Sequence, residues 1–124
     1  MSEPASSLSD SGRAHSRAEA LSEGFLYLLH WHHRTGRIEQ YIGWTRDLEA
    51  RMKAHASGSG GCPTTRRYRR AGMRGRLVRL WRGTMLDERT LQQTLTFPLD
   101  CPICCGIEID TVRCEGKINT DTLR

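Results

Sequence analysis

The chain contains no apolar run approaching the roughly 20 residues that a membrane-spanning helix requires, which argues against a membrane protein. Its opening stretch, MSEPASSLSDSGRAHSRAEA, lacks the apolar centre of a secretory signal, so the expectation is a chain that stays in the cytoplasm. Large apolar groups are almost missing from residues 1–22, which therefore cannot offset the entropy of ordering and read as a disordered leader, save for a short helical stretch over residues 16–21. The five cysteines are an odd number and suit thiols or metal ligands in a reducing compartment better than a disulfide framework. Internal repeats are absent. Acidic residues fall short of basic ones, 14 against 19, leaving a net charge of +5. Such an arginine-rich balance suits a polyanionic partner, nucleic acid first, although arginine bias in a GC-rich genome produces the same count.

What is present fits one domain with tails: 124 residues can bury a modest core without disulfides. Residues 24–31, GFLYLLHW, form a dense apolar run whose length suits a buried strand. The stretch from His32 to Arg37 reads as a turn, with Gly36 able to take positive φ. Residues 38–43 place Ile38, Gln40 and Ile42 on one face and Glu39 and Tyr41 on the other, completing a β-hairpin. Thr45 is the expected N-cap of a helix starting near Arg46, with Asp47 and Glu49 in its first turn and Leu48 and Met52 toward the core. Residues 57–61, SGSGG, end it. A short basic helix or loop over 64–71, a third strand over 75–83 and a second main helix over 87–97, stopped by Pro98, complete the pattern. The expected fold class is α+β, a three-stranded sheet in β-β-α-β-α order flanked by helices over residues 23–97, followed by a cysteine-bearing tail over 98–124.

Tyr27 lies in the context Phe25-Leu26-Tyr27-Leu28-Leu29, and Tyr41-Ile42-Gly43 follows fourteen residues later. Arg51 lies ten residues beyond Tyr41, and His55 four beyond that. The segment YIGWTRDLEARMKAH resembles the signature of the GIY-YIG nuclease domain. Thr64-Thr65-Arg66 resembles that family's polar loop, and Leu77-Val78 with Trp81 and Gly83 its third strand. The likeness spans residues 24–96, about three fifths of the chain. Three departures stand out: the first motif keeps only its tyrosine, Trp44 replaces the small basic residue usual after the glycine, and, most consequentially, no carboxylate stands where the last helix of the family carries its metal-binding glutamate.

The resemblance implies a hydrolase, an endonuclease in which water attacks a nucleic-acid phosphodiester, DNA first, with Mg²⁺ or Mn²⁺ required. Tyr27 takes the place of the general base and Tyr41 that of its partner in positioning water. Arg51 offers a planar cationic fork matched to phosphate oxygens, and His55 a proton relay or a clamp on Tyr27. Without the constellation, a tyrosine in an apolar strand packs the core and an Arg–His pair four apart forms a solvated helix face. The family's metal-binding glutamate falls on Thr94, or on Gln92 or Gln93 in other registers. Glu88 and Asp87 lie one to two turns earlier, and Glu88 is the candidate Mg²⁺ ligand. The alternative is a catalytically silent nucleic-acid-binding module of the same fold.

Arginines crowd residues 66–82, at positions 66, 67, 69, 70, 74, 76, 79 and 82. Thr65, Arg66, Arg67, Arg69 and Arg70 are candidate backbone contacts, and Tyr68 a platform for a splayed base. Cys101, Cys104 and Cys105, with Cys114 nine residues on, form an incomplete Zn²⁺ knuckle that wants Cys62 or a histidine brought in by the fold; free thiols packed on the domain are the competing reading. A small zinc-bearing interaction domain is thus a third functional class. His30, His32 and His33 read as a polar turn, because one strand cannot aim adjacent residues at one ion.

Overall fold

A computed structural model describes residues 17–58 and 62–118. The expected disordered leader lies mostly outside these residues, and its described end forms a four-residue helix, α1 (Arg17–Ala20).

The apolar run becomes β1 (Gly24–His32). The His33 N–H donates to the Arg37 carbonyl at 2.9 Å across the turn, where Gly36 takes φ +100°. The chain returns as β2 (Ile38–Thr45), antiparallel to β1, with Gly43 opposite Tyr27 and Gln40 opposite His30. Thr45 is the last residue of β2 rather than a helix cap, and its hydroxyl oxygen accepts the Asp47 N–H at 3.1 Å. Asp47 is the N-cap of α2 (Leu48–Ser57), its carboxylate accepting the Ala50 N–H at 3.1 Å, while the Thr45 hydroxyl is engaged by Asp47 itself. The helix ends at Gly58 in the left-handed conformation. α3 (Pro63–Arg70) starts on Pro63, whose missing N–H costs nothing in a first turn. β3 (Arg74–Gly83) pairs antiparallel with the other edge of β1. α4 (Met85–Thr94) begins two residues earlier than its apolar spacing predicted, because the Asp87 carboxylate accepts the Thr84 N–H at 2.8 Å and caps it there.

The fold class is α+β, as expected, but among the described residues the sheet has four strands, ordered β2-β1-β3-β4. The fourth, β4 (Cys114–Lys117), comes from the cysteine-bearing tail and runs parallel to β3. It is an exposed edge strand, so no alternation of apolar residues announced it. The tail is also woven into the interior: the Cys101 side chain is wholly buried.

Alternation along β1 divides the core in two. Leu26 and Leu28 join Ile42, Val78, Leu91, Leu95 and Cys101 on the face covered by α4 and the tail. Tyr27, Leu29 and Trp31 join Met73 on the other face, with Leu48 and Met52 of α2 and Tyr68 of α3 packed against them. Among the described residues, no helix is long and apolar enough to cross a membrane.

Candidate active site

The face of the sheet beneath α2 and α3 collects five of the residues singled out by sequence, Tyr27, Tyr41, Arg51, His55 and Thr65. Tyr27 stands in mid-strand on β1, 1% exposed. Its ring lies across Gly43, where an added Cβ would overlap the Tyr27 Oη and Cζ. The glycine of the Tyr41-Ile42-Gly43 motif is therefore required by space, not by backbone conformation. The Tyr27 hydroxyl lies 2.9 Å from His55 Nε2 on α2, and His55 Nδ1 lies 3.0 Å from the Thr65 hydroxyl on α3. Thr65 in turn donates its proton to the Cys62 carbonyl at 3.3 Å. With the Thr65 proton on that carbonyl, Thr65 accepts from His55 Nδ1–H and Nε2 accepts the Tyr27 O–H.

Electrostatics follow from burial. The Tyr27 phenol is pushed far above its ordinary value by loss of water, with Arg51 opposing, so it is protonated in the resting protein. The His55 imidazole is pushed down to about 4, first by burial and then by the Arg51 charge, so it is neutral near pH 7. Tyr41 also sits on this face, its ring centroid 6.3 Å from that of Tyr27 and 5.7 Å from that of His55, and burial raises its phenol well above the ordinary value. Arg51, one turn before His55, is half-buried. Among the described residues no carboxylate lies within ion-pair distance of its guanidinium.

Glu88 reaches this group from α4. Its carboxyl is raised to about 7 by burial, against the lowering pull of Arg51 and of a 3.3 Å hydrogen bond from Gln92. Its charge is felt by both Tyr27 and Tyr41. Thr94 is the last residue of α4, whereas Glu88 lies in its first turn, where its charge and that of Arg51 act on one another.

The basic stretch divides. Thr65 is 1% exposed and bonded inward, so it orients His55 rather than meeting a phosphate. Tyr68 packs its ring 5.6 Å from that of Trp31, which occupies it as core filling rather than as a free stacking platform. Arg67, Arg69 and Arg70 are exposed on α3, while Arg66 is half-buried with its Nε unpartnered among the described residues. Arg69 and Arg74 flank a cleft of about 630 Å³ that His55, Trp31 and Met73 also line. Arg79 leaves the group altogether: it grips both oxygens of Glu115 at 2.7 Å, and its guanidinium lies 4.7 Å from the Trp81 ring centre. Arg76 donates to the Ile109 carbonyl in the tail.

The expected zinc knuckle is rearranged. Cys101 and Cys104 converge with His30, their ligand atoms all within 4.8 Å of one another. Cys105 is exposed, with its thiol on the Pro98 and Leu99 carbonyls, and Cys114 is exposed on β4 opposite Leu80, so neither joins that group. The turn reading holds for His33, whose Nδ1 accepts the Thr35 N–H at 3.2 Å, but His30 is 3% exposed inside the sheet. His30, Gln40 and the orienting role of Thr65 were missed by sequence reasoning. The available signal was parity: His30 shares the face of Leu26 and Leu28, where an imidazole needs a polar partner. No family model, curated protein or solved structure matches this chain.

Proposed function

We propose that the chain is a metal-dependent endonuclease that hydrolyses phosphodiester bonds of nucleic acid, DNA first, at the Tyr27–His55 face. The observation that carries this reading is the gathering of two tyrosines, a histidine bonded at both ring nitrogens, an arginine with no ion-pair partner among the described residues and a half-buried carboxylate, brought together by β1, β2, α2 and α4. Hydrolysis of a phosphodiester needs a proton acceptor, a cationic clamp and a place for a divalent ion. A single half-buried carboxylate fits Mg²⁺ or Mn²⁺, which take one or two protein carboxylates and complete their shell with water and phosphate oxygens. Glu88 would hold the ion, which supplies neutralisation of charge on the phosphoryl and leaving oxygens.

The chain's own groups do the rest. Arg51 clamps the non-bridging oxygens through paired N–H donors. An anionic phosphate beside Arg51 offsets the charge that depresses His55, so substrate raises the basicity of Nε2. As Tyr27 Oη takes the proton of the attacking water, its phenolic proton passes 2.9 Å to that Nε2, and no charge is left on the buried phenol. Thr65 holds the ring, and Tyr41 borders the space where water must stand. Arg67, Arg69 and Arg70 on α3 supply sequence-independent phosphate contacts.

The test is nicking of supercoiled plasmid with Mg²⁺ and with Mn²⁺. The wild type is expected to cut. Tyr27→Phe and Arg51→Ala are each expected to lose at least about 100-fold, with Arg51→Ala leaving the thermal midpoint almost unchanged. A folded wild type that cuts with neither metal but still shifts DNA at low salt would establish the silent binding module instead.

A further inference from the structure

We infer that His30, Cys101 and Cys104 form a Zn²⁺ site on the face of the sheet opposite Tyr27, and that the ion clasps the C-terminal segment to β1. This is independent of the nuclease reading, because parity along β1 separates the two places: Tyr27 and His30 are three residues apart and point through opposite faces.

The nitrogen–sulfur spacings match those of a tetrahedral site. Zinc bound by thiolate at about 2.3 Å and by imidazole at about 2.05 Å sets sulfur and nitrogen about 3.6 Å apart. His30 Nδ1 lies 3.3 Å from Cys101 Sγ and 3.7 Å from Cys104 Sγ, on either side of that value. The donor chemistry agrees: two thiolates and one imidazole are a borderline-soft set that selects Zn²⁺ over Mg²⁺ or Ca²⁺. Two thiolates also neutralise the dication, which a buried place requires. Cys101 is wholly buried and His30 is 3% exposed.

The outer shell is in place as well. Gln40, opposite His30 on β2, lies with its Nε2 3.3 Å from both Cys104 Sγ and His30 Nδ1; a bound ion would take over the Nδ1 lone pair and leave the amide to donate to the thiolate, the hydrogen bond that steadies a ligating sulfur. Its Oε1 is buried without a partner among the described residues. A water completing the four-coordinate shell would supply the missing donor. His32 follows on the same side of β1, its ring 5.6 Å from that of His30, outside the inner set.

The experiment uses the full chain purified without chelator, with zinc measured by elemental mass spectrometry and the site probed by Co²⁺ substitution. The expected result is one zinc per chain, and with Co²⁺ the thiolate charge-transfer bands and intense d–d bands of tetrahedral coordination. Cys104→Ser and His30→Gln should each weaken binding more than about 100-fold, beyond the 10–100-fold expected of Gln40→Ala as an outer-shell change. Cys105→Ser and Cys114→Ser should keep one zinc per chain. Far-ultraviolet circular dichroism on each variant identifies any that fails to fold; Cys104, half-buried at the margin of the cluster, is the variant least exposed to that failure. Zinc far below one per chain, a Cys101–Cys104 disulfide in the purified protein, or zinc kept by Cys104→Ser and lost by Cys105→Ser would overturn the site.

Discussion

Two titrating groups that feel the charge of one guanidinium are shifted in opposite directions. His55 has its folded-state value lowered from 6.5 to about 4, so its contribution to stability is complete above pH 6.5 and drains away as pH falls toward 4. Glu88 has its value raised from 4.5 to about 7, so its contribution is complete below pH 4.5 and drains away as pH rises through 7. Each shift of about 2.5 pH units corresponds to about 3.5 kcal/mol at the outside, at about 1.4 kcal/mol per pH unit. They offset one another between pH 4.5 and 6.5. Glu88→Gln is therefore expected to make the protein more stable at pH 8 and to unmask a steep acid-side loss, both measured by denaturant melts across pH. Nuclease activity should rise with pH through about 7 as Glu88 ionises, and Glu88→Gln should abolish it. Gly43→Ala makes a different demand: the new methyl overlaps the Tyr27 ring, so the hydroxyl must leave His55. Cutting should fall by at least about 100-fold, with a stability loss of about 1–3 kcal/mol from overpacking.

At the scale of elements, α4 decides whether a carboxylate reaches the site at all. The Asp87 carboxylate on the Thr84 N–H sets where the helix starts, and the next residue is Glu88. Asp87→Ala should cost about 1 kcal/mol of stability, lower the thermal midpoint by about 4 °C, and raise the Mg²⁺ concentration needed for half-maximal cutting. The two leading strands and α2 were legible in the sequence because their periodicities are local: Gln40 and Ile42 alternate with Tyr41, and Leu48 and Met52 recur at helical spacing. Tyr27, Tyr41, Arg51 and His55 could be grouped for the same reason, since hairpin register and one helical turn are short-range geometry. The start of α4 was not, because a cap at Thr84 and a run ending at Pro98 are both consistent with Leu91 and Leu95 facing inward. Thr65 looked like a surface loop residue because nothing nearby in sequence shows that α3 presses it against His55.

For the molecule as a whole, the cysteine segment is the part least visible from sequence and most deeply built in. Its role depends on long-range contacts: Cys101 with His30, 71 residues away, Glu115 with Arg79, and β4 beside β3. A chain ending at residue 97, the boundary that composition suggests, would lose Cys101 from the core, uncover the β3 edge and strip Arg79 of both carboxylate partners. It is expected to lose its cooperative thermal transition, whereas a chain ending at residue 118 should keep it, as followed by circular dichroism. The strand Gly24–His32 has a further consequence for descent and change. Tyr27 and His30 serve opposite sides of one sheet, so inserting or deleting a single residue between them would turn one of the two inside out. Descendants can lengthen this strand only at its ends or in steps of two. A distant relation that has lost every other likeness should therefore still be identifiable by a tyrosine and a histidine an odd number of positions apart, each with its small or amide partner across the hairpin.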